Sequence, residues 1–246
     1  MITVCHNAEK TIERTIQSAL QQDYPEIEYI VIDGLSSDGT VSVLEKYRDR
    51  ITKLLSEKDH GMYDALNKGI QIATGEIVGI LNADDVFAKP DILSKVAAAF
   101  KNDSKLDALF GDIAFISSAG KQVRYYSSAK WNPNRFAWGY MPAHPTFYCK
   151  TKYFKEIGGY HLNFEIAADY ELLIRFLKIN NLRFTYLPVL MVNMNKGGKS
   201  TKGLASTFKI NKEIMIGCKI NGIYTNYFML YSKYFTKIFE LGIKKQ

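Results

Sequence analysis

Two adjacent carboxylates, Asp84 and Asp85, stand at the end of the apolar run Ile77-Val78-Gly79-Ile80-Leu81. Such a run reads as a buried strand of a parallel sheet, so the acids fall at its C-terminal edge, where open α/β sheets bind their ligands. Hard cations such as Mg²⁺ or Mn²⁺ are held by one or two carboxylates together with substrate phosphates, which makes the pair a candidate clamp for a metal on a nucleoside diphosphate. An isolated Asp-Asp is more often an acidic turn capping the next helix. Here two further strands end on polar side chains at the same edge. Glu28-Tyr29-Ile30-Val31-Ile32-Asp33-Gly34 leads into Leu35-Ser36-Ser37-Asp38-Gly39-Thr40, a turn with Asp38 or Thr40 as the helix cap. The first strand, residues 2–5, runs into His6-Asn7-Ala8-Glu9-Lys10-Thr11 and a helix carrying Ile12, Ile16, Ala19 and Leu20.

The elements that position these residues alternate: strands at 2–5, 28–34, 51–55 and 77–81, each followed by a helix, the last two at 63–73 and 91–100. This alternation specifies an α/β fold, a mostly parallel sheet flanked by helices. After residue 105 the pattern changes to short strands near 109–116 and 123–126, then to the aromatic stretch 131–142 with Trp131, Phe136, Trp138 and Tyr140. Those rings suit either a binding site, since aromatic faces stack on sugar rings, or a core beneath a loop. Without repeats or low-complexity linkers, the chain divides into a first half (1–105), a second half of the same domain (106–200) and a C-terminal helical extension (201–246).

With 246 residues and 47% hydrophobic content, the chain can bury a full α/β core. Cys5, Cys149 and Cys218 are odd in number and widely spaced, which predicts free thiols in a reducing cytosol and no zinc site. No signal peptide or membrane-spanning run is expected, and the first strand reads as cut short at Met1. Charge is uneven: residues 196–246 hold ten Lys against two acids, whereas the remainder is close to neutral. In 224–246, tyrosines and phenylalanines alternate with Lys233, Lys237, Lys244 and Lys245, which suits either peripheral contact with an anionic membrane or packing on the domain or on a second copy in a homodimer. A nucleic-acid partner is not expected, because the tail lacks Arg and no binding motif is present.

Taken together, Asn7 and Glu9 after the first strand, Asp33 to Thr40 after the second, and Asn82-Ala83-Asp84-Asp85 after the fourth resemble the inverting glycosyltransferases of family 2. The resemblance continues through Ser56 to Ile70, Gly158-Gly159-Tyr160 and Ala167-Ala168-Asp169-Tyr170-Glu171, and so spans residues 1 to about 200. It implies a GT-A type fold and a metal-dependent inverting transfer of one sugar from a UDP, GDP or dTDP sugar to a glycan or lipid-linked acceptor, in bacterial surface polysaccharide biosynthesis. The setting implied is the cytoplasm, at the inner face of the inner membrane.

The same resemblance implies the roles. Asp85 binds the Mn²⁺ or Mg²⁺ that bridges the donor diphosphate, with Asp84 and Asn82 beside it on the donor. Asp33 bonds the base, with Thr3, Cys5, Asn7 and Glu9 completing that pocket, and Asp59 and Lys68 follow around the nucleotide. Asp169 is the catalytic base, and His144 and Trp138 line the acceptor side. Where the family often has Glu-Asp, this chain has Ala168-Asp169, which keeps the base and removes a neighbouring acid. Residues 197–201 stand where the family has a loop that closes on the donor. The Gln-x-x-Arg-Trp motif of processive synthases is absent. So are the Gly-rich, Arg-containing loop of nucleotidyltransferases and the G-x-G-x-x-G of dinucleotide-binding dehydrogenases. The remaining alternative is a non-catalytic glycan- or nucleotide-binding scaffold on a decayed transferase fold.

Overall fold

The structure is a computed structural model that describes residues 1–117, 119–195 and 203–240, excepting the side chains of 203–205 and 235–240. The expected loop at 197–201 and the last lysines and phenylalanines of the tail lie outside the described residues.

Three four-residue segments form the parallel strands β1 (Ile2–Cys5), β2 (Ile30–Asp33) and β3 (Lys53–Ser56), paired in the order β1-β2-β3, the first two fully buried. Alternation along β2 sends Ile30 and Ile32 to one face and Val31 to the other, so each face of the sheet has its own core. Helices α1 (Ile12–Leu20), α2 (Thr40–Glu45) and α4 (Ile92–Asn102) cover the Val31 face through Ile16, Leu44 and Val96. Helix α3 (Met62–Ile72) covers the other, and a Cβ on Gly69 would come within 2.7 Å of Ile2, so only glycine allows this approach.

Strand β4 (Ile77–Gly79) meets β1 through the parallel bridge Ile2–Ile80 and the bond from Leu81 N–H to Ile2 C=O (3.0 Å). The strand is shorter than expected because Ile80 and Leu81 turn to this neighbour. Beyond it the sheet becomes mixed. β8 (Tyr148–Lys150) lies antiparallel to both β4 and β6 (Ala108–Ile116). β6 carries the hairpin partner β7 (Gln122–Tyr126) and the parallel strand β9 (Phe184–Asn195), to which the two-residue β5 (Val86–Phe87) adds. Between Phe110 and Asp112 the register with β9 slips at the stretch containing Pro188, which cannot donate to the ladder.

After α5 (Thr151–Glu156), α6 (Ala168–Ile174) buries Tyr170, Leu173 and Ile174 and runs into a π-helical turn, Arg175–Ile179. The chain then forms α7 (Gly203–Ile220) and α8 (Tyr227–Glu240). Ile214, Cys218 and Leu230 of these helices join the same core cluster as Ile2 and Ile32. The basic tail is therefore partly built into the domain. Trp131 and Phe136 also belong to that core, packed edge-to-face at 5.0 Å, so these rings of the 131–142 stretch fill the interior. All three cysteines are free and buried. No described helix is long and apolar enough to cross a membrane.

Candidate active site

Strand order reverses at β1, between β2 and β4, and the crevice at the C-terminal edge of such a switch point is the ligand site of open α/β sheets. Asp33 ends β2 fully buried. Its four acceptor positions are all taken, by Ser36 Oγ (2.5 Å), Ser36 N–H (3.1 Å), Ser56 Oγ (2.6 Å) and Cys5 Sγ (3.6 Å). Burial, reinforced by the Asp33 charge, pushes the Cys5 thiol up and keeps it protonated. The loop after β2 is then laced to the loop after β1. Asn7 accepts from Ser37 N–H (2.9 Å), Ala8 N–H donates to Thr40 Oγ1 (2.8 Å), and Glu9 accepts from Gly39 N–H (3.3 Å). Leu35, exposed at the loop's tip, holds φ +58, a left-handed conformation that costs a branched residue roughly 1–2 kcal/mol. Asp59 accepts from Gly61 N–H (2.8 Å), and the missing side chain of Gly34 leaves room for its carboxylate.

At the end of β4, Asp84 is half-buried and Asp85 is 1% exposed. Burial, then the Asp84 charge, pushes the Asp85 carboxyl up to about 8; burial raises Asp84 as well. Asn82 Nδ2 donates to Asp85 Oδ2 (3.1 Å), while Asp85 Oδ1 is buried without a partner. Asn195, closing β9, donates to the Asp84 carbonyl (2.6 Å), and Thr15 donates to that of Asp85 (2.8 Å). An orphaned carboxylate oxygen beside a second acid is the chemistry a hard cation completes. No cluster of three or more His, Cys, Asp or Glu stands among the described residues, so such a cation would draw its other ligands from substrate and water.

β8 runs antiparallel to β4, so the 3₁₀ turn His144–Thr146 that leads into it lies at this same edge. His144 is buried, with Nδ1 3.9 Å from Asp169 Oδ2 and Nε2 2.8 Å from the Tyr160 hydroxyl. Tyr160 stacks on Tyr63 (centroids 5.4 Å), whose hydroxyl donates to Ile166 C=O (2.6 Å) and sits 3.5 Å from Asp169 Oδ1. Burial raises the Asp169 carboxyl and lowers His144, each partly opposed by the other. These directions leave His144 neutral at ordinary pH, so their contact is polar and not an ion pair. Asp169 keeps 20% of its side chain open to solvent at the first turn of α6.

Several sequence expectations change. Thr3 is fully buried within β1 and bonded to the Tyr29 hydroxyl (3.2 Å), which places it in the core beneath the pocket. Lys68 is already engaged by Glu57 (2.7 Å) and the Lys58 carbonyl (2.8 Å), with Asp64 at 3.7 Å. Asp33 spends its oxygens within the protein and so shapes the loop. Trp138 is 42% exposed on the 3₁₀ turn Pro133–Trp138 that packs near α8, and no described contact joins it to Asp169. Sequence reasoning overlooked the parts played by Tyr63 and Tyr160, although both sit inside motifs already singled out.

The glycosyl transferase family 2 model matches residues 1–163. Over 212 residues the chain is 26% identical to a PGL/p-HBAD biosynthesis glycosyltransferase of Mycobacterium bovis (strain BCG / Pasteur 1173P2), covering 85% of this chain and 79% of the relative. S. aureus TarS 1-349 in complex with UDP-GlcNAc superposes with a TM-score of 0.66 at 23% identity, over 88% of this chain and 65% of that one. Mannosyltransferase PcManGT from Pyrobaculum calidifontis, in complex with GDP-Man and Mn²⁺, superposes with 0.64 at 20% identity, over 88% and 61%. The chain thus spans less than two thirds of either crystallised relative, and these likenesses are of fold, the GT-A arrangement. With the match running through Asp33, Asp84 and Asp85 at the edge of the parallel half, the chain belongs to glycosyl transferase family 2 and is a glycosyltransferase.

Proposed function

We propose that this glycosyltransferase moves one sugar, with inversion and with a divalent metal, from a nucleoside diphosphate sugar to a glycan or lipid-linked acceptor in bacterial surface polysaccharide biosynthesis. The observation that carries the reading is the orphaned oxygen of buried Asp85 beside Asp84. Asp85, with Asp84, would hold Mn²⁺ or Mg²⁺. When bound, that ion neutralises charge developing on the leaving diphosphate. Cys5, Asn7, Glu9 and Asp59 frame the nucleotide, on a loop organised by Asp33, and Asn82 orients Asp85. Inversion is a single displacement, so one carboxylate must take the acceptor's hydroxyl proton from the face opposite the leaving group. Asp169 takes that proton, with the Tyr63 hydroxyl 3.5 Å from one of its oxygens and neutral His144 3.9 Å from the other. The relatives bound to UDP-GlcNAc and to GDP-Man with Mn²⁺ support a donor and a metal of these classes.

The direct experiment offers UDP, GDP and dTDP sugars with Mn²⁺, with Mg²⁺ and with chelator, first for binding and then for turnover on a lipid-linked acceptor pool. Donor binding is expected to need the metal. Tight binding of a sugar nucleotide in chelator would remove the metal from the proposal.

The exposed side of α7 supports an acceptor at a membrane surface. Phe208, Lys212, Ile216, Lys219 and Ile220 are exposed along it, and Tyr224 and Phe228 continue the apolar surface at 77% and 79% exposure. Apolar side chains interleaved with lysines complement an anionic bilayer at the cytoplasmic face. Truncating the tail would also remove Leu230 from the core, so point changes are the cleaner test. Tyr224→Ser with Phe228→Ser is expected to weaken binding to phosphatidylglycerol vesicles by about tenfold or more, since each ring contributes on the order of 1.5–3 kcal/mol when buried. Unchanged vesicle binding, with loss of a dimer, would assign the surface to a second copy.

A further inference from the structure

Glu213 is the single acid described on α7, is 8% exposed, and faces the catalytic half of the molecule. Its carboxylate accepts three consecutive backbone N–H groups: Glu165 to Oε1 (3.1 Å), and Ile166 and Ala167 to Oε2 (2.9 and 2.8 Å). These are the residues leading into α6, whose first turn carries Asp169. From the opposite side the Tyr63 hydroxyl holds the Ile166 carbonyl (2.6 Å). The strand of chain before Asp169 is thereby pinned on both its donor and acceptor groups, by two elements far apart in sequence. A carboxylate at a helix N-terminus is also favoured by the helix dipole.

The contact does not end with Glu213. One turn on, Gly217 packs on the Glu171 side chain, where a Cβ would sit 3.5 Å from it. A further turn on, Asn221 Nδ2 donates to Glu171 Oε1 (3.1 Å). Glu171 is fully buried and paired with Arg175 (2.8 Å), which in turn binds the carbonyls of Ile157, Gly158 and Gly159 (3.1, 3.1 and 2.6 Å). Residues 213 and 217 of α7, with Asn221 just past its end, thus form one stripe laid along α6 and the residues leading into it.

We propose that Glu213 is a positioning residue of the sugar transfer: by fixing residues 165–167 it sets Asp169 where the acceptor hydroxyl is deprotonated, which makes α7 part of the active site. The inference rests on the reading of Asp169 as the base. A base displaced by about 1 Å costs on the order of 10²-fold, because the geometry of attack is lost while the donor site, at the strand ends, is untouched.

The test uses the full chain and four variants, E213Q, E213A, D169N and D169N/E213Q. E213Q keeps the shape and one acceptor oxygen, so it guards against loss of fold in E213A; cooperative melting is checked for each. Binding of UDP and of GDP with Mn²⁺ is expected to be unchanged in all four. With the donor and acceptor found by the screen, kcat is expected to fall about tenfold in E213Q and about 10²-fold in E213A. In the D169N background E213Q is expected to add nothing, since a base that is absent cannot be misplaced. Full kcat in E213A, or an undiminished E213Q effect in the D169N background, would overturn the proposal. Near-normal turnover by D169N would instead overturn the assignment of the base.

Discussion

Asp169→Asn is expected to lower kcat by about 10²- to 10⁴-fold, roughly 3 to 5 kcal/mol of barrier, while nucleotide-sugar affinity stays within a few fold. The amide preserves size and can still accept the Tyr170 N–H bond that Asp169 Oδ1 makes (2.8 Å), so the first turn of α6 has no reason to unravel. It cannot take a proton. Burial raises the carboxyl, and a base must be ionised, so wild-type activity is expected to rise with pH along a limb displaced above the ordinary carboxylate range. The variant should lose that limb along with the rate. Neither neighbouring acid is suited to substitute: Glu171 is buried against Arg175 and His161, and Glu165 is an exposed partner of Lys209. Loss of donor binding in a folded Asp169→Asn protein would move the residue to the donor side.

The second large effect belongs to Asp85, and the structure changes its form. As a surface acid it would have been expendable to the fold; buried, it carries a folded-state value near 8 against an unfolded value near 4. A raised acid contributes stability fully below its unfolded value and loses it as pH climbs through the folded one. Metal-free protein is therefore expected to lose stability between about pH 4 and pH 8, by a total on the order of 5 kcal/mol. Asp85→Asn should flatten that decline, because the amide never ionises. Mn²⁺ should raise the melting temperature of the wild type at pH 8 and leave the variant unmoved, and metal-dependent donor binding should vanish in the variant. Equal Mn²⁺ stabilisation of both proteins would exclude Asp85 as a ligand.

The parallel half was legible because each strand was a short apolar run closed by an acid or an amide, and each helix had its own amphipathic period. The mixed half was not. β9 contains Pro188, which argues against a strand until the bulge opposite Gly111 is seen to absorb it. β8 is only three residues long and β5 only two, too short for any period to register. Asp84, Asp85 and Asp169 were legible as acids at the ends of elements, but their protonation was not, because it is set by burial and by partners from other elements. Asp33 shows the same limit from the other side: its position was clear, whereas the two serines and the thiol that occupy it come from three separate segments. For Thr3 and Lys68, spacing reports that they are near an edge and not that they are already engaged within the protein.

The core that begins at Ile2 is completed by Ile214, Cys218 and Leu230, almost a full chain length later. During synthesis the apolar faces of α6 and of the Pro133–Trp138 turn, on which α7 and α8 pack, stay uncovered until those two helices have been made. Closing loops on the order of 50 to 100 residues costs about 3 to 4 kcal/mol of chain entropy before their contacts return anything. Folding of this protein is in consequence a late event, slow by topology and dependent on whatever shields those faces in the interval.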